Sequence, residues 1–172
     1  TNLGQDHLDY HGSRDAYALA KLSLFKRKDV RSVILNVDDE FGRTIAKEIE
    51  NDKNVLSVAS TPELSGGVIP DISVSNIRCS VGRSKFSLSY KGNILDFETQ
   101  LLGGFNVLNV SLSVGALLDS GYSPEDIKTF LPEIGCVPGR MQFCGESSRG
   151  ACVFVDYAHT PEGLSAALSA FR

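Results

Sequence analysis

The chain has 172 residues, a net charge of −4, 42% hydrophobic and 22% charged residues, the proportions of a soluble globular protein of one domain or one domain plus part of another. Lysines and arginines are dispersed, which leaves no footprint for nucleic acid, and no apolar run approaches the ~18 residues of a membrane span. Cys79, Cys136, Cys144 and Cys152 form no C-x-x-C pair, so neither a zinc knuckle nor a disulfide framework is indicated, and buried or free thiols in a reducing cytoplasm are expected.

The first stretch, TNLGQDHLDYH, sets His7 and His11 among Asp6 and Asp9. Gly12 and a Ser13 cap place these histidines ahead of the first long helix, where they fit both a polar capping loop and one imidazole of a metal shell. GSRDAYALAKLSLF predicts a helix with Ser13 as N-cap and Asp15 in its first turn, where a negative charge suits the dipole. VRSVILNVD predicts a buried strand, DEFGRTIAKEIEND a helix with Phe41, Ile45 and Ile49 at helical spacing, and VLSVAS a second strand. Alternating helix and strand predicts an α/β domain with a mainly parallel sheet.

After the loop SGGVIPD come three predicted strands, ISVSNIRCS, KFSLSY and NILDFE, the last two split by Lys91, Gly92 and Asn93. Phe86, Leu88 and Tyr90 alternate with Ser87 and Ser89, as in an antiparallel hairpin with one buried face. FNVLNVSLSVGALLDSG predicts a helix stopped at Gly121, and SPEDIKTFL another, opened by Ser123 as N-cap and Pro124 at the first helical position. GCVPGR is the best linker, so a domain boundary is expected near Arg140. Beyond it lie MQFCG, the turn ESSRG, a buried strand ACVFVDY and a helix opened by Thr160 and Pro161. The chain starts at Thr1 without Met and stops at Arg172 inside that helix. It is expected to be an internal piece of a longer protein, doubtful as an independent folder and inactive alone.

Three constellations carry chemistry. Lys21 has Tyr17, Leu24 and Phe25 at helical neighbour positions, which puts its stem on an apolar stripe. A lysine there either snorkels over the packing or, with its ammonium disfavoured by burial, becomes an amine able to take up carbon dioxide as a carbamate, an oxygen ligand for Mg²⁺. In LLGGFNVLNVS, Gly103 and Gly104 permit close approach of a ligand or another backbone. Asn106 and Asn109 share one side of the helix start, where they either satisfy the preceding loop or offer adenine a donor and an acceptor. In VFVDYAHTPEG, Asp156 ends a strand and His159 precedes a helix, positions for ribose hydroxyls and a phosphate or for a simple turn. No G-x-x-x-x-G-K-[ST] pattern occurs in these residues, so if the protein handles ATP its phosphate cradle is expected elsewhere in the protein. Asp38 and Asp39 read as a turn and cap.

Together, TNLGQDHLDYHGSRDAYALAKLSLF, GGFNVLN, VPGRM and VDYAHTPEGL closely resemble the Mur ligase family, and DHLDYHG with DYAHTP point to its MurE branch. The resemblance runs through the chain, with little of it between Val55 and Thr99. It implies residues 1–140 as the C-terminal part of a central ATP-binding domain and 141–172 as the first strand-helix unit of a Rossmann-like C-terminal domain. It also implies a cytoplasmic, monomeric ATP-dependent ligase in peptidoglycan synthesis, adding a third residue, meso-diaminopimelate as the commoner case, to UDP-MurNAc-L-Ala-D-Glu through an acyl phosphate. ATP and Mg²⁺ are then co-substrate and cofactor, UDP-MurNAc-dipeptide and an amino acid the partners, and nucleic acid and membrane are not.

Carried over by the resemblance, His7 is a Mg²⁺ ligand and Lys21 a carbamoylated lysine (N6-carboxylysine) holding a second Mg²⁺. Asn106 and Asn109 lie by adenine, Arg140 and Asp156 contact ribose or phosphates, and His159 lies near the γ-phosphate. A related ligase such as folylpolyglutamate synthase and a non-catalytic scaffold are the competing readings. Intact His7 and Lys21 count against the scaffold.

Overall fold

The structure, a computed structural model, describes residues 2–4, 8–49, 51–61 and 66–171. Five strands form one sheet in the order β1-β2-β3-β4-β5: β1 (Ser32–Asn36), β2 (Asn54–Ala59), β3 (Ile72–Ser80), β4 (Arg83–Tyr90) and β5 (Asn93–Thr99). The first three are parallel and the last three antiparallel. The expected hairpin therefore extends the parallel strands rather than standing apart. Its turn is tighter than the three-residue split: Tyr90 pairs with Asn93, and Lys91 and Gly92 take φ 48° and 77°, a two-residue hairpin turn whose twist matches its strands.

Helices cover both faces. After the single turn α1 (Leu8–His11) come α2 (Arg14–Phe25) and α3 (Glu40–Ile49), whose Leu22, Ile45 and Ile49 pack with Val33 and Leu35 of β1. On the other face α4 (Gly104–Asp119) and α5 (Pro124–Phe130) close over Val58, Ile72, Phe86, Leu88 and Phe97, with Ile34 against the same cluster. The period-2 alternation of β1 thus deals its residues to two cores. The caps are those the sequence predicts. Ser13 accepts from the Ala16 amide and Ser123 from the Asp126 amide, each at 3.1 Å, and Gly121 (φ 92°) turns the chain out of α4 with Tyr122 N–H bonded to Leu117 O.

A 3₁₀ turn (Leu131–Glu133) leads to the linker and then to an antiparallel hairpin, β6 (Gln142–Glu146) with β7 (Cys152–Val155), and to α6 (Pro161–Ser169), capped by Thr160. A small core of Leu102, Met141 and Ala167 joins this unit to the start of α4. Two expectations fail. β7 is not a buried strand: Val153 and Val155 are exposed because, among the described residues, β7 pairs only with β6 and turns only Phe154 towards that small core. Ser87, expected on the open face, is 5% exposed, enclosed by hydrogen bonds from Asn76 at the β3 bulge and to Asp96. The cysteines are free, with Cys136 half-buried and the other three exposed. No helix of the described residues is long and apolar enough to cross a membrane.

Candidate functional site

The carboxyl end of β1, the first turns of α4, the linker and the loop from β7 into α6 enclose a cavity of about 640 Å³. Asn106, Asn109, Arg140, Asp156 and His159 all line it. Ligands gather at the carboxyl ends of strands in open α/β sheets, and this cavity lies at one.

Each side chain is held by a definable contact. Asn106, 8% exposed, donates from Nδ2 to Leu102 O at 2.8 Å, so it satisfies the preceding loop and still presents its amide oxygen. Asn109, three residues on, is exposed. Gly103 (φ 100°) begins α4, and the close approach it permits is made by Phe105 and Ala170, whose atoms a β-carbon at 103 would meet at 3.0 and 3.1 Å.

Asp156 accepts one hydrogen bond at each of its two oxygens. Oδ2 accepts from Met141 N at 2.8 Å and Oδ1 from Ala158 N at 2.8 Å. Met141 is 3% exposed in the left-handed region at φ 49°, a conformation that costs about 1 kcal/mol or more in a non-glycine residue and persists only where neighbours over-determine it. The carboxylate thus pins the linker to the loop after β7. The Arg140 guanidinium lies 5.3 Å over the Tyr157 ring. Tyr157 in turn meets the His159 ring edge-on at 5.0 Å, while His159 Nδ1 is 3.0 Å from Tyr157 O. His159 stands one residue before Thr160, whose Oγ1 accepts from Gly163 N at 3.1 Å, so the imidazole adjoins the amino end of α6, where anions are favoured. Burial, then the charges of Asp156 and Cys144, push the Cys136 thiol up from its ordinary range.

The second half of the expected site is elsewhere. Lys21 does not line the cavity. It is half-buried on α2, its Nζ 4.7 Å over the Tyr17 ring, which stacks on His11 at 4.8 Å. Leu24, expected to complete an apolar stripe around it, is 53% exposed. His7 lies outside the described residues. No group of three or more His, Cys, Asp or Glu that could hold a metal occurs among the described residues. A Lys21 ammonium would repel Mg²⁺, so this side chain suits the ion only as a carbamate. Asp38 and Asp39 are turn and cap as expected, Asp38 binding Ser60 and Asp39 the amides of Phe41 and Gly42.

Sequence reasoning missed Asn36, Tyr157 and Glu162, which also line the cavity. Asn36 lies inside the predicted strand VRSVILNVD and ends the observed β1. A second cavity of about 420 Å³, between the β3–β5 strands and Lys128, contains none of the expected residues.

Residues 1–117 match the Mur ligase middle domain. The chain belongs to the Mur ligase family. Among curated relatives, the UDP-N-acetylmuramoyl-L-alanyl-D-glutamate–2,6-diaminopimelate ligase of Pseudomonas aeruginosa is 39% identical over 172 residues, which are all of this chain and 34% of that protein. A solved structure of a ligase of that same name superposes with a TM-score of 0.79 at 30% identity over 99% of this chain and 34% of its own. MurF from Acinetobacter baumannii gives a TM-score of 0.81 at 23% identity, covering 98% of this chain and 35% of its own, a likeness of fold. The chain thus spans about a third of the length of these Mur ligases, at 34% of the Pseudomonas protein. Within the matched Mur ligase region fall Lys21, Asn106 and Asn109, whereas Arg140, Asp156 and His159 follow it.

Proposed function

We propose that this chain is the ATP-handling part of a cytoplasmic, monomeric ligase that joins meso-diaminopimelate to UDP-MurNAc-L-Ala-D-Glu in peptidoglycan synthesis. Residues 1–140 are the later part of its central domain and 141–172 the start of its C-terminal domain. The observation that carries the reading is the convergence of Asn106, Asn109, Arg140, Asp156 and His159, drawn from separate segments, on one cavity. Identity of 39% to the Pseudomonas diaminopimelate ligase supports the choice of amino acid.

The roles follow from chemistry. Asn106 and Asn109 face the adenine. Asp156, already tied to two amides, has lone pairs left for a ribose hydroxyl. The Arg140 guanidinium meets phosphate oxygens, and His159 at the start of α6 lies by the terminal phosphate, where fixed donors stabilise the charge of phosphoryl transfer. The dipeptide carboxylate takes the γ-phosphoryl group, ADP leaves, and the incoming amine displaces phosphate from the acyl carbon. His7 and a carbamate on Lys21 would hold Mg²⁺, which would supply positive charge against the phosphates.

The test is the full-length protein with ATP, UDP-MurNAc-L-Ala-D-Glu and either meso-diaminopimelate or lysine. ADP, phosphate and the diaminopimelate tripeptide in equal amounts are expected. Turnover with lysine alone would reassign the amino acid, turnover with a folate substrate would reassign the branch, and no ADP with any of them would leave a scaffold.

A further inference from the structure

We propose that Asn36 is a base-contacting residue of this cavity, donating from its side-chain amide nitrogen to a ring nitrogen of adenine. The assignment rests on the ATP reading above. Val33 and Leu35 belong to the core under α2 and α3, while Ile34 lies on the α4 side, against which a β-carbon at Gly115 would press at 3.2 Å. Strand alternation therefore turns Asn36, two residues further on, to the α4 side at the carboxyl end of β1.

Asn36 is 6% exposed and lines the cavity. Its Oδ1 accepts from Asp38 N at 3.0 Å, which decides the orientation of the amide and leaves Nδ2 as the outward end. That nitrogen meets no acceptor among the described residues, yet no side-chain polar atom there is both sealed from solvent and unpaired. A donor that is nine-tenths buried, unpaired and still accessible opens on the cavity and lacks a partner that a ligand can supply. The backbone beneath it is fixed, because α3 seats Gly42 so closely that a methyl group there would overlap the Asn36 carbonyl.

The surroundings identify the ligand group. Phe105, Asn106, Leu108 and Asn109 of α4 are uncharged, and the charged Arg140, Asp156 and Glu162 come from the linker and the β7–α6 segment. Ribose and phosphates belong with the charges, and a neutral base with the amides. Adenine's ring nitrogens N1, N3 and N7 are acceptors only, which suits the Asn36 donor. Asn106, its Nδ2 committed to Leu102 O, offers its oxygen to the 6-amino group, whereas a 6-oxo purine would set acceptor against acceptor.

In the full-length enzyme, Asn36→Asp keeps the acceptor for the Asp38 amide, removes the donor and adds a carboxylate charge. ATP binding should weaken by about tenfold or more, with kcat at saturating ATP nearly unchanged. Wild-type protein should bind one of 1-deaza-, 3-deaza- and 7-deaza-ATP more weakly than ATP, and the variant should lose nothing further with that analogue. Equal wild-type binding of ATP and all three analogues overturns the assignment without any variant. So does an Asn36→Asp penalty that is the same for ATP and every analogue, or no penalty at all. Wild-type protein that binds no ATP overturns the nucleotide reading and this assignment with it.

Discussion

Asp156 carries two burdens that a ribose contact alone would not. Because it accepts from Met141 N and Ala158 N, Asp156→Ala strands two half-buried amides, worth about 2 kcal/mol together. The expected outcome in the full-length enzyme is a lowered unfolding temperature together with a raised KM for ATP. A raised KM for the peptide substrate alone would remove the ribose role. Lys21 is the contrasting case, outside the cavity lining and over Tyr17. Lys21→Ala should abolish turnover while leaving ATP binding nearly intact, and added formate or acetate should restore part of the rate by replacing the carbamate oxygens. Normal turnover without Lys21 would dispose of the carbamate.

Among the elements outside the cavity wall, α3 has a seating that reaches the site. A β-carbon at Gly42 would collide with the Asn36 carbonyl, so Gly42→Ala should destabilise the protein by about 1–3 kcal/mol, the range for overpacking, and weaken ATP binding by shifting Asn36. A denaturation midpoint equal to wild type would show that α3 yields without cost. Elements of this kind were legible from local signals. Ser13, Ser123 with Pro124, and Thr160 with Pro161 announce helix starts through their own backbone chemistry, and all three cap as expected. Asn106, Asn109, Asp156 and His159 were legible because each stands at a strand end or helix start. Tertiary neighbours decide the rest. Ser87 is buried because Asn76 at the β3 bulge and Asp96 both meet it, and β7 is exposed because β6 is its sole strand partner among the described residues. Asn36 escaped notice because one period-2 step, invisible until α4 is docked, assigns it to the cavity rather than to the core under α3.

Across the whole molecule, the sheet core is double-sided and dense, whereas the unit after the linker rests on Leu102, Met141 and Ala167. Val153 and Val155 of β7 and Leu164 and Leu168 of α6 are exposed. Produced as these 172 residues, the protein should bind a fluorescent apolar dye strongly, and Val153→Thr with Val155→Thr should reduce that signal. A dye response no greater than that of a compact globular control would contradict this. The same loose seating has a geometric consequence at Gly103. One wall of the cavity belongs to β1 and α4, the other to the linker and the start of α6, and the far end of α6 comes to rest with Ala170 against a glycine that has no side chain to offer. The cleft's width is therefore gauged by an absent methyl group. Any residue larger than glycine at 103 would press on Phe105 and on Ala170 at once, so the fit between the start of α4 and the far end of α6 is set at a residue with no side chain.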